Sequence, residues 1–163
     1  GTASTDCPAA EILPLTNNVT LLESHIDSLI ANGGTAGHLG AAWAWYTISP
    51  NWTSIWPTAS APRPMSTPDV IKAAILMTDG EFNAQYETAM GTSDDQARAL
   101  CTAMKANDVK VFTVAFLAPP SGEAVLQFCA DDTDAYFDAS SGADLTAAYE
   151  SIASTLKALR LTS

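Results

Sequence analysis

Residues 70–80 read VIKAAILMTDG, an almost unbroken apolar run from Val70 to Thr78 that stops at Asp79 and Gly80. A strand without polar alternation is covered on both faces, as the strands of a parallel sheet are. The Asp-Gly pair turns the chain and sets a carboxylate at the mouth of that sheet. Downstream, Ser93 with Gln96 three residues on has the form of a capping box. Asp94 and Asp95 suit the positive end of the helix that follows, whose stripe is Ala97, Leu100, Cys101 and Met104. Val109 to Phe116 (VKVFTVAF) is a second buried-type strand, and Ser121 opens a short helix holding Val125, Leu126 and Cys129. Ala135 to Ala139 is a third strand, and Ser141 with Asp144 caps a last helix carrying Leu145, Ala148, Tyr149, Ile152, Leu156 and Leu159.

Upstream of the decisive run, residues 49–69 form a surface loop in which five prolines prevent regular structure and Trp52 and Trp56 act as pins. Thr35 caps a helix with Leu39, Ala42, Trp43 and Tyr46 on one stripe. Asn17 and Asn18 cap an earlier helix bearing Val19, Leu22, Ile26, Leu29 and Ile30, which Asn32, Gly33 and Gly34 stop. Glu11 to Leu15 reads as a short strand, demoted to an edge by Pro14. Strand and helix therefore alternate, which predicts an α/β sandwich with a mostly parallel sheet in one domain spanning residues 1–163. In such folds the site lies beyond the carboxyl ends of the strands.

Composition narrows the function. With 18 acidic against 7 basic side chains the formal net charge of the 163 residues is -11, and Asp108 lies between Lys105 and Lys110. The net field repels nucleic acid and no basic patch answers it. At 47% apolar and 15% charged residues the chain is a globular one, and no run of 18 apolar residues could span a membrane. The start at Gly1, without Met or export signal, reads as a processed or excised piece that an anchor or partner segment would precede. Cys7, Cys101 and Cys129 make an odd count, so in an oxidising compartment one thiol stays free or pairs elsewhere.

Several residues could carry chemistry. Asp79 at the strand end and Thr35 on a glycine turn supply hard oxygen ligands of the kind Mg²⁺ or Mn²⁺ takes. Asp79 with Glu81 is a carboxylate pair that a secreted α/β hydrolase could use, although no nucleophile accompanies it. Asp131, Asp132, Asp134 and Asp138 lack the glycine and closing glutamate of an EF-hand and read as a solvated loop. His25 and His38 have no partner at metal or triad spacing, and Asn18 and Asn51 head formal glycosylation sequons.

The Thr35 and Asp79 pair resembles the metal-ion-dependent adhesion site of von Willebrand factor A domains. The likeness extends along the chain: Cys7-Pro8 before ILPLT, GGT followed by GHLGAAWAWYTISP, the strand ILMTDGEFN, LCTAMKANDVKVFTVAF, Cys129-Ala130, AYFDAS and the closing IASTLKALRL. Together these blocks resemble the carboxy-terminal half of TadG-like proteins, membrane-anchored components of the Tad (tight adherence) pilus system. That resemblance implies a non-enzymatic binding module at the periplasm or cell surface, acting in pilus assembly or attachment. Its partners would be other pilus components or an acidic surface ligand. A second member of the wider group, the intracellular A module of chelatase or ATPase machines, stays open at this point.

The resemblance also carries a mismatch. Domains of this kind begin with a strand ending D-x-S-x-S, whose acid and hydroxyls hold most of the metal, and the chain has no such motif. With a family strand order of 3-2-1-4-5-6, Glu11 to Leu15 would be strand 3 and Val70 to Thr78 strand 4. The first two strands, and with them most of the Mg²⁺ or Mn²⁺ ligands, would belong to a preceding part of the domain. The edge of Val70 to Thr78 would then stand open for that part, a partner or a second copy. A Cys101 to Cys129 bridge fits this reading, two buried thiols being the alternative, and Cys7 would pair with the missing part.

Overall fold

The computed structural model describes residues 10–30 and 34–162, with side chains through residue 159; Cys7, Asn32 and Gly33 lie outside the described residues. Eight principal elements follow one another: α1 (Val19–Asp27), α2 (Gly37–Ile48), β1 (Ala73–Thr78), α3 (Ser93–Ala106), β2 (Lys110–Phe116), α4 (Pro120–Cys129), β3 (Tyr136–Ala139) and α5 (Gly142–Thr162). The three strands form one parallel sheet in the order β1-β2-β3. The register runs from Ala73 beside Lys110 to Thr78 beside Ala115, and from Thr113 beside Tyr136 to Phe116 beside Ala139. Helices cover both faces, so the molecule has the Rossmann-like α/β architecture that the alternation of elements predicts.

On one face, α2, α3 and α4 bring Ala44, Trp45, Ile48, Ala97, Cys101, Met104, Val125 and Cys129 onto Ala74 and Val111. On the other, α5 lays Ala148 and Ile152, flanked by Leu145 and Leu156, over Phe112 and Val114. The central strand β2 is accordingly buried at five successive residues, Val111 to Ala115. β1 is different. Ala74 and Thr78 are buried, but Ile75 is 38% and Met77 52% exposed on the opposite face. Full coverage, which the apolar run predicts for β1, is realised only in β2. Among the described residues β1 has a strand neighbour on one side alone; on its outer face Ala73 packs against the cluster under α5, and the Tyr149 hydroxyl meets the Met77 sulfur at 3.6 Å.

The local rules account for most boundaries. The Asn18 side chain accepts from the Leu21 N–H and starts α1, which ends at Asp27 and buries none of its residues. No strand forms over residues 11–15: Pro14 lacks a donor, no ladder is adjacent, and Ile12 and Leu15 stay exposed. α3 is capped one residue earlier than the sequence pattern suggests. Thr92 and Asp95 make the reciprocal box, because the Ser93 hydroxyl is buried and bonded 2.9 Å from the His38 Nδ1. α5 starts as read, with Asp144 Oδ2 accepting from the hydroxyls of Ser140 and Ser141.

The proline-rich stretch contains two 3-10 turns, Pro50–Ile55 and Thr58–Ser60. Trp52 stacks on Tyr46 at 3.9 Å, Trp56 meets Trp43 edge-on, and the Trp56 indole donates to the Tyr46 carbonyl. Lys72 closes the loop from below. Its buried ammonium donates to the Ile48 carbonyl, an orphan at the end of α2, and to the Arg63 carbonyl. That inward turn is why β1 begins at Ala73 and not at Val70.

Cys101 and Cys129 are bonded, with sulfurs 2.02 Å apart, and join α3 to α4 beneath the sheet. The bridge closes a separation of 28 residues. Replacing both cysteines by serine should lower unfolding stability by roughly 3 to 4 kcal/mol, read as an earlier urea midpoint; an unchanged midpoint would show that the bridge does not constrain the unfolded chain.

Burial holds the His38 imidazole below its ordinary pKa, so the folded state disfavours its charged form. The unfolded chain takes up that proton first, and stability is therefore lost as pH falls below about 6.5. The urea midpoint should drop between about pH 7 and about pH 5, and the drop should be smaller in His38→Gln. An identical pH profile in that variant would remove His38 as the cause.

Candidate functional site

The carboxyl ends of β1 and β2 meet two loops and the first turn of α4. At the end of β1 the Thr78 hydroxyl, buried with its residue, accepts from the Gly80 N–H at 3.2 Å. This short-range bond bends the chain sharply and leaves Asp79 projecting into solvent. α4 crowds the turn from the other side: a Cβ placed on Gly122 would stand 2.4 Å from the Gly80 carbonyl oxygen. Only glycine admits that approach. Next to it the Ser121 hydroxyl donates to Glu81 Oε1 at 2.9 Å, tying α4 to the segment after the turn.

Thr35 reaches the same corner by a different route. It does not cap α2, which begins at Gly37 behind Ala36 with no side-chain cap. Its backbone is clamped instead to the segment after β1: the Thr35 N–H donates to Asn83 Oδ1 at 3.0 Å, and its carbonyl accepts from the N–H groups of Asn83 and Ala84. The hydroxyl points at the turn, 3.6 Å from where a Cβ on Gly80 would sit. The structure thus brings Thr35 and the Asp79 turn together, although they lie far apart in sequence.

The electrostatics of the corner are acidic. Asp94, at the start of α3, has its carboxyl raised above the ordinary range, first by desolvation and further by the charges of Asp95 and Glu81, with Arg98 opposing. Asp79 and Thr35 offer a carboxylate and a hydroxyl, two of the roughly six oxygens that Mg²⁺ takes. The donors suit a hard divalent ion, yet they are a partial set. No group of three or more His, Cys, Asp or Glu side chains among the described residues is placed to hold a metal ion.

The other candidates have structural uses. Asp131 accepts from the Val111 N–H and pairs with Lys110 at 3.1 Å, while Asp132 accepts from the N–H groups of Asp134 and Ala135. His38 joins α2 to α3. Sequence reasoning missed Asn83, Ser121 and Gly122 at the corner. The signal that could have found them is thin: an asparagine four residues past Asp79, and a glycine in the first turn of a helix that opens on a proline pair.

Two depressions flank this region. A trough of about 400 Å³ runs beside β1, lined by Thr35, Gly37, Gly40, Ala41 and Ala44 on one wall and Ile75 to Thr78 on the other. A larger groove of about 830 Å³ lies on the outer side of α2, among Ile12, Leu39, Trp43, Ile55, Trp56 and Tyr86. The larger one is apolar and does not include Asp79.

No protein-family model matches the chain, and no curated protein does. Among solved structures, the chain is similar to proximal thread matrix protein 1 from the mussel byssus, with 20% identity and a TM-score of 0.54. The match covers 78% of this chain and 28% of that one, so the chain spans little more than a quarter of that protein's length. At such identity the likeness shows the fold alone.

Gly122→Ala tests the corner's geometry. The added methyl must push either α4 or the Gly80 carbonyl, and the expected cost is about 1 to 3 kcal/mol in urea unfolding. Gly142→Ala, where a Cβ meets nothing within 4 Å, should cost far less. Equal effects of the two would mean that the approach of α4 to the turn is not tight.

Proposed function

We propose that the chain is the carboxy-terminal part of a von Willebrand A-like domain of a TadG-like Tad pilus protein, and that it works by binding and not by catalysis. The observation that carries this reading is the conjunction at one corner of the sheet. The strand that ends beside Asp79 has, among the described residues, a strand neighbour on one side alone, and the Thr35 loop is clamped against the turn at its end. A preceding part of the same domain would pair with that side and bring the remaining oxygen ligands to the corner.

In this reading Asp79 and Thr35 hold part of an adhesion site for Mg²⁺ or Mn²⁺. The bound ion would supply an open coordination position for an acidic group of a pilus component or surface ligand. Charge supports the arrangement, since a chain of net charge -11 meeting an acidic ligand needs a cation between them. The Cys101–Cys129 bridge supports an oxidising location such as the periplasm or cell surface. No described helix is long and apolar enough to cross a membrane.

Calorimetric titration of Mg²⁺ tests the reading. The 163-residue chain should bind weakly, the same chain preceded by its two upstream strands at least tenfold more tightly, and Asp79→Ala in the longer protein should abolish the gain. Equal affinity in the short and long forms, or a gain indifferent to Asp79, would overturn it.

A further inference from the structure

The two edges of the sheet are built differently. β3, at one edge, is four residues long, carries exposed Asp138 and follows Asp132 and Asp134. Short length and inward or flanking charge are the ordinary means of keeping an edge from pairing with another chain. β1, at the other edge, is six residues of AAILMT with no charge, no proline and no glycine. Its outer backbone groups have no strand partner among the described residues, and Ile75 and Met77 are bare beside them.

The surface around that edge is also unusual in charge. Residues 28–62 contain no Asp, Glu, Lys or Arg, so α2 and the loop after it are uncharged, and in β1 the nearest charges are the buried Lys72 and terminal Asp79. The charge of -11 is therefore carried elsewhere, and two copies can meet at this face without apposing it. On the α2 wall of the trough the Phe82 ring covers Gly37, whereas Gly40, Ala41 and Ala44 are small and a Cβ on Gly40 would meet nothing within 4 Å. Small side chains there leave room for a second α2 to approach.

We propose that, in the absence of a preceding strand, this chain associates as a two-fold dimer by antiparallel pairing of β1 with β1 of a second copy. The register follows from the backbone. Lys110 N–H donates to the Lys72 carbonyl, so even-numbered residues of β1 direct their backbone groups at β2 and Ala73, Ile75 and Met77 direct theirs outward. A two-fold axis through Leu76 sets Ile75 opposite Met77 of the second copy and Met77 opposite its Ile75. All four are outward-bonding residues on the same exposed face. The pairing yields one six-stranded sheet, covers the bare apolar patch, and holds the two Asp79 carboxylates at opposite ends of the shared ladder. The proposal rests on the open edge and not on any metal; its test reads mass, so it fails or stands separately from the Mg²⁺ titration.

The test is sedimentation velocity of the 163-residue chain over a wide concentration range. Twice the chain mass is expected at high concentration. Ile75→Lys and Met77→Lys, at exposed positions that leave the core intact, should each return it to a single copy with unchanged circular dichroism. Leu76→Cys in a Cys7→Ser background should form a disulfide-linked pair on mild oxidation, because residues opposite at a non-hydrogen-bonded position have Cα atoms about 4.5 Å apart, within the span a disulfide bridges. A single copy at every concentration would overturn the proposal. So would a dimer indifferent to both lysine variants, and a dimer in which Leu76→Cys does not cross-link would overturn its register.

Discussion

The parallel ladder between β1 and β2 is the constraint from which the rest of the molecule follows. It satisfies the backbone groups on one side of β1 and aims the strand so that its carboxyl end opens beside the first turn of α4. Parallel strands need long crossovers, and here the crossover is α3, held to α4 by a disulfide and to α2 by the His38–Ser93 bond. The same ladder leaves the other side of β1 with donors and acceptors directed outward. Burial of unpaired backbone groups is costly, which is why such an edge stays in water until another strand takes it.

The corner at Asp79 shows how weak local preferences become a defined place. A threonine-bonded turn, a glycine that lets a helix approach, and an asparagine that clamps a distant loop each contribute little alone. Together they set a carboxylate and a hydroxyl from separate loops at one end of the sheet. The fixed backbone does the positioning, so the side chains that would meet a ligand need carry no structural duty. Asp79 is exposed and its carboxylate makes none of the bonds that fold the turn.

Much of this was legible in the residues. The unbroken runs at 70–78 and 109–116 marked the paired strands, and the spacing of Ala97, Cys101 and Met104 marked the helix that joins them. What periodicity could not supply was the outcome of competition among neighbours. Ser93 looked like a cap but was claimed by His38, so Thr92 took the role. Thr35 looked like a cap but was claimed by Asn83. Val70 to Lys72 looked like strand until the Lys72 ammonium found two carbonyls to hold. Glu11 to Leu15 had strand composition without a ladder to join, and α1 had an apolar stripe without a surface to bury it. For residues 11–15 and α1, composition asks for neighbours that the described residues do not provide.

Hydrogen exchange resolved to single β1 amides, at a dilution where the chain is a single copy, tests the open edge most directly. Ala74, Leu76 and Thr78 should exchange slowly, while Ala73, Ile75 and Met77 should exchange orders of magnitude faster, a period of two along the strand. Uniform protection of all six amides in the single copy would mean that this polypeptide already pairs with both sides of β1, and the open edge would be gone.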